Sequence, residues 1–99
     1  MAFTQELDGI SFHPVVRGIN RLADENSWII ECEEFTFKRA DFPLVTMVYS
    51  RTDSQGDTDT MKVEYVGGTV RAAHVSFMTH TISGYKARGA VEGILRAEP

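Results

Sequence analysis

Between His13 and Asn26 the apolar residues Val15, Val16, Ile19, Leu22 and Ala23 recur at steps of three and four, which places them on one stripe of a helix. Pro14 suits the first helical position, where its missing N–H costs nothing, and Ser11 stands just upstream as a candidate cap. Asp24-Glu25-Asn26-Ser27 breaks the pattern. Gly18 in the middle costs about 1 kcal/mol against alanine, so so short a helix must gain its stability by docking its stripe on another element.

The residues that follow alternate with period two. Trp28, Ile30 and Cys32 share one face of a strand, and the parity then slips, because the next apolar pair is Phe35 and Phe37. A slip of one residue at Glu33-Glu34 predicts a β-bulge or a turn between two short strands. Residues 39–43 read as a connection ended by proline, and Leu44 to Arg51 as a second strand with Val45, Met47 and Tyr49 on one side. The polar run Asp53 to Asp59 predicts a hairpin loop. Met61, Val63 and Tyr65 mark a third strand, and Gly67-Gly68 supplies the two positive-φ positions of a tight hairpin. A fourth strand is expected from Thr69 to about Ile82, with a bulge near Ala73-His74 where Val70 and Ala72 give way to Val75 and Phe77. Tyr85, Ala87, Val91, Ile94 and Leu95 form a second helical stripe running to Ala97. Gly89, Ala90, Gly93 and Ala97 make a small-residue strip on that helix, expected to dock tightly on the sheet in preference to forming a dimer seam.

These elements predict an α+β domain: a curved four-stranded antiparallel sheet with an N-terminal and a C-terminal helix packed on one face. Residues 13–99 are expected to form one domain, and residues 1–12 a flexible arm or short edge strand. The 42% apolar and 24% charged composition belongs to a folded chain and excludes disorder and low complexity. No apolar run is long enough to span a membrane, and the first dozen residues lack the features of a secretory signal, so the expected location is cytoplasmic. A single cysteine excludes an intramolecular disulfide and a paired-cysteine zinc site, which fits a reducing compartment.

Charge changes the picture more than composition does. Residues 1–64 carry twelve acids and six bases, and residues 65–99 carry four bases and two acids, so a net charge of −4 hides segments of −6 and +2. Glu31, Glu33 and Glu34 with Asp41 form the densest acidic stretch, and Arg71, Lys86 and Arg88 dominate the basic part. These seven are the candidate partner-binding residues, since complementary potentials speed encounter and exclude wrong partners.

Other chemistry is thin. His74 and His80, six residues apart on a strand, would lie about 20 Å apart and could not share an ion, so they read as solvent-facing positions. Cys32 alternates with Trp28 and Ile30 and reads as a small core hydrophobe. Asp53, Asp57 and Asp59 lack the ligand spacing of a calcium loop. Residues 83–89 offer amides and two cations to an anion but lack the lysine that follows the second glycine of a phosphate-binding loop. No cofactor or metal is expected. The function that best fits is a small non-enzymatic protein-binding domain, an inhibitor, adaptor or assembly factor that docks on a larger, basic partner. Proteins of this kind are often encoded by phages and mobile elements, and a homodimer through the last helix or an edge strand would suit one. The alternative is a single-stranded nucleic-acid-binding protein that uses the curved sheet, with Tyr49, Tyr65 and Tyr85 stacking bases beside Arg71, Lys86 and Arg88.

Overall fold

The computed structural model describes residues 13–37 and 43–98. The expected N-terminal arm, the Ser11 cap and most of the connection at 38–42 lie outside the described residues. Helix α1 (Pro14–Glu25) is followed by strands β1 (Ile29–Phe37), β2 (Pro43–Thr52), β3 (Thr58–Val66), β4 (Thr69–Val75) and β5 (Ile82–Ser83), and then by helix α2 (Ala87–Arg96). The strands form one antiparallel sheet in the order β1-β2-β3-β4-β5. Helix α1 contacts β1, α2 contacts β4 and β5, and the helices touch each other, so this is an α+β fold with both helices on one side.

The helix stripes and the strand alternation account for the core. Val16, Ile19 and Ala23 of α1 and Ala87, Val91 and Leu95 of α2 meet Val45, Met47, Tyr49, Met61, Val63, Tyr65, Val70, Ala73 and Val75 from the sheet. Pro14 sits at the start of α1 as expected, and the cap is His13, whose Nδ1 accepts from the Val15 amide at 3.1 Å. The helix ends in a Schellman-type closure: the Trp28 amide donates to Ala23 O at 3.0 Å and the Ser27 amide to Asp24 O at 3.2 Å. Ser27 takes φ = 66° there, a position that glycine would fill without strain. The indole N–H of Trp28 then donates to Leu95 O at 3.0 Å and ties the start of the sheet to the end of α2. Above its ring lies Arg51, 4.3 Å from the centroid, which also donates to Ala97 O at 2.8 Å.

The first bulge is where the parity slip puts it. Cys32 pairs with Met47 and Glu34 with Thr46, which leaves Glu33 as the extra residue. The second bulge falls earlier than expected: Tyr65 pairs with Val70 and Glu64 with Ala72, so the extra residue is Arg71 and not Ala73 or His74. The fourth strand also stops at Val75. The chain turns there, with the Met78 amide on Val75 O at 3.0 Å, and returns as the short β5 against Ala72 and Ala73. Two-residue alternation no longer applies past that turn, so Phe77, read as a core partner of Val75, is 59% exposed. Tyr85 precedes the first turn of α2 and stands outside its buried stripe. The small-residue strip does not dock on the sheet: Gly89 and Gly93 are exposed, and a Cβ at either would meet open space. Leu95, Val91 and Ala87 take the buried side of α2 instead.

Candidate functional site

Two of the sequence-predicted binding residues, Arg71 and Arg88, converge with Tyr85 on one groove. The β3–β4 turn with Gly67 and Gly68 at positive φ, the first half of β4 and the segment leading into α2 enclose about 730 Å³. Val66 and Val70 give it apolar walls, while Arg71, Tyr85 and Arg88 carry its functional groups. The Tyr85 ring is 91% exposed, and Lys86 Nζ lies 5.8 Å from its centroid. Lys86 occupies the N-cap of α2 without a side-chain cap bond, and no acidic residue stands in the first turn. A helix N-terminus carries partial positive charge, so Lys86 and Arg88 are each disfavoured there by roughly 0.3–1 kcal/mol. Among the described residues, Glu92, 3.9 Å from Arg88 Nε and partly exposed, offsets this. Arg71 makes no ion pair with another described residue.

The acidic residues assemble on the opposite edge of the sheet. Glu31, Glu33 and Glu34 are all exposed on β1, the edge strand, and no described strand pairs with its outer side. The carboxylate of Glu33, the bulged residue, pairs with Lys62 Nζ at 3.1 Å, and Glu34 accepts from Thr36 Oγ1 at 3.2 Å. Ile29 on the same strand is 68% exposed. Asp41 lies outside the described residues. With strands about 4.8 Å apart, three spacings separate β1 from β4 by about 14 Å. The charge imbalance along the chain thus becomes a separation across the sheet. No described element covers the sheet face turned away from the helices.

The remaining candidates stay apart. His74 Nδ1 bonds Thr81 Oγ1 at 3.1 Å, His80 is exposed beyond β4, and no group of three metal-ligating side chains converges among the described residues. Asp53 is engaged in its own loop, its Oδ1 accepting from the Gln55 and Asp57 amides at 2.8 and 3.0 Å. Cys32 sits half-buried at the margin of the core, its Sγ donating to Glu34 O at 3.6 Å, and burial raises its thiol pKa. No described helix is long and apolar enough to cross a membrane.

Tyr49 and Tyr65 correct the nucleic-acid alternative directly. Both are fully buried on the helix side of the sheet and cannot stack bases. Tyr49 O–H donates to Asn20 Oδ1 at 2.6 Å, and the two tyrosine hydroxyls lie 2.7 Å apart. Since the Tyr49 hydrogen is spent on Asn20, Tyr65 donates to Tyr49. Burial pushes both phenols well above the ordinary tyrosine range. Asn20 Nδ2 has no hydrogen-bond partner among the described residues.

The sequence points to Arg71, Arg88 and Tyr85, and to Gly84 within the anion-binding candidate 83–89, but not to the groove that joins them, nor to Val66 in its lining. The cue was the pair of glycine turns, Gly67-Gly68 and Gly84, which bring the β4 and α2 starts to one end. No protein-family model, curated protein or solved structure matches the chain.

Proposed function

We propose that the chain is a small non-enzymatic binding domain of a reducing, cytoplasmic environment that docks on a larger protein as an inhibitor, adaptor or assembly factor. The observation that supports this reading is the sorting of charge to opposite edges of one sheet, with Glu31, Glu33 and Glu34 on β1 and Arg71, Lys86 and Arg88 at the other side. An acidic edge strand recruits a basic surface and repels an acidic one. It also opposes association of two copies through β1, since a two-fold pairing would set like charges against each other. Pairing of copies belongs instead on the outer face of α2, where Gly89 and Gly93 leave open space.

The test is capture of partners from source-cell lysate at low salt by the wild type and by the triple variant E31K/E33K/E34K. The wild type should retain a basic protein that salt releases, the triple variant should lose it, and R71E should keep it. Retention unaffected by the triple reversal, or by salt, would refute the reading.

A further inference from the structure

We propose that the groove between the β3–β4 turn and the start of α2 binds single-stranded nucleic acid, with Tyr85 stacking on a base and Arg71 and Arg88 holding phosphates. This goes beyond the docking reading and does not rest on it, because the β1 glutamates take no part.

Three features carry the inference. First, Tyr85 contributes nothing to the core and is 91% exposed, with Lys86 over one side of its ring and Arg71 and Arg88 lining the same groove. Second, the local charge runs against the preference of the fold. Lys86 and Arg88 stand at the positive end of α2 with no acid in its first turn, and Arg71 is held out of the strand ladder by a bulge. Such violations of local preference gather where a ligand compensates them, and here the compensating ligand is an anion. Third, the groove of about 730 Å³ falls in the size range of pockets that hold a small organic ligand, and it opens to solvent.

The ligand must therefore supply both negative charge and a flat ring. A nucleotide does so, whereas an acidic peptide offers carboxylates and leaves the ring face unused. The strand must be single, because a base inside a duplex has no free face. The acidic edge, about 14 Å away, lies beyond the screening length of about 8 Å at physiological ionic strength and does not cancel the local attraction.

Fluorescence anisotropy with a labelled ten-nucleotide oligothymidylate at low salt tests this on the full chain. Binding should be micromolar, and Tyr85→Ala should weaken it by about fivefold or more while Tyr85→Phe, which keeps the ring, stays within about twofold. Arg71→Glu should weaken it by about tenfold or more, and log K should fall with log salt at a slope of about −1.4 to −2, as two or three neutralised phosphates require. E31K/E33K/E34K should bind at least as well as the wild type, which separates this site from the docking surface. All of the substituted side chains are exposed, so thermal melts should stay close to the wild type. Absence of binding at about 100 µM protein, affinity indifferent to Tyr85→Ala or Arg71→Glu, or equal affinity for a glutamate peptide of the same charge would each overturn the proposal. The last result would give the groove to an acidic protein segment.

Discussion

The buried chain Asn20–Tyr49–Tyr65 allows a sharp test, because its two phenols are chemically alike and differ only in position. Tyr49 is central: its hydroxyl donates to Asn20 Oδ1 at 2.6 Å and accepts from Tyr65, 2.7 Å away. Tyr49→Phe removes both bonds and strands two groups in a site closed to water. At about 1–3 kcal/mol per orphaned buried group the loss is about 2–6 kcal/mol. Tyr65→Phe removes the terminal hydroxyl and leaves Tyr49 its bond to Asn20, so only about 0.5–1.5 kcal/mol is lost. For a domain of this size each kcal/mol lowers Tm by roughly 4–8 °C. The central substitution should therefore cost tens of degrees and the terminal one about 5 °C. Urea unfolding followed by circular dichroism gives both free energies, with equal m values confirming that the unfolded ensemble is unchanged. Asn20→Leu added to Tyr49→Phe should recover part of the loss, since it removes the stranded carbonyl and the partnerless Nδ2 together. Equal losses for the two tyrosine variants, or no recovery in the double variant, would refute the directed chain.

The same phenols set an alkaline limit. Burial raises both pKa values in the folded state above the unfolded value near 10, so below pH 10 they confer no pH dependence, and above it the unfolded state alone releases protons. Stability should fall by up to about 2.7 kcal/mol per pH unit beyond pH 10, and their tyrosinate absorbance should appear together with loss of the fold. Ser27→Gly should raise stability by about 1 kcal/mol in urea titrations, because φ = 66° strains a residue with a Cβ. Gly18→Ala should stabilise by about 0.5–1 kcal/mol, since the added Cβ meets open space on a helix, whereas Gly68→Ala should destabilise by more than that. At Gly68, φ = 82° and a Cβ would overlap the His13 ring that caps α1.

Elements whose residues obey one period throughout were legible in the sequence. The α1 stripe, the β2 and β3 alternation and the Gly67-Gly68 turn each repeat a local rule, and each recurs in the structure within a residue or two. The region after Val75 was not, because the turn at Ser76-Phe77 carries neither glycine nor proline. Alternation alone could not show that Phe77 had left the sheet. The helical stripe of α2 is legible at Ala87, Val91 and Leu95, yet residue size alone points its small residues inward, where the larger apolar set already fills that side. For the site, residue types were legible and their meeting was not. Arg71 and Arg88 are seventeen positions apart, and only the turn and the return through β5 make them neighbours of one groove.

The two bulges connect these observations. In each, the residue inserted into the ladder is charged: Glu33 in β1 and Arg71 in β4. Had the pairing run on regularly from Tyr65 and Val70, Arg71 would stand opposite Glu64, and a cross-strand ion pair would have absorbed its charge. The bulge sets Ala72 opposite Glu64 and leaves the guanidinium to the groove. In β1, regular pairing would have put Glu33 opposite Thr46. The bulge places Glu34 there, so Glu31, Glu33 and Glu34 crowd one exposed edge, with only Glu33 drawn to Lys62. A bulge costs ladder regularity, and here both costs fall where they free charge on the surfaces assigned to binding. In a β pattern that slips parity, a charged residue at the slip is thus a stronger sign of a working surface than the same residue within an unbroken alternation.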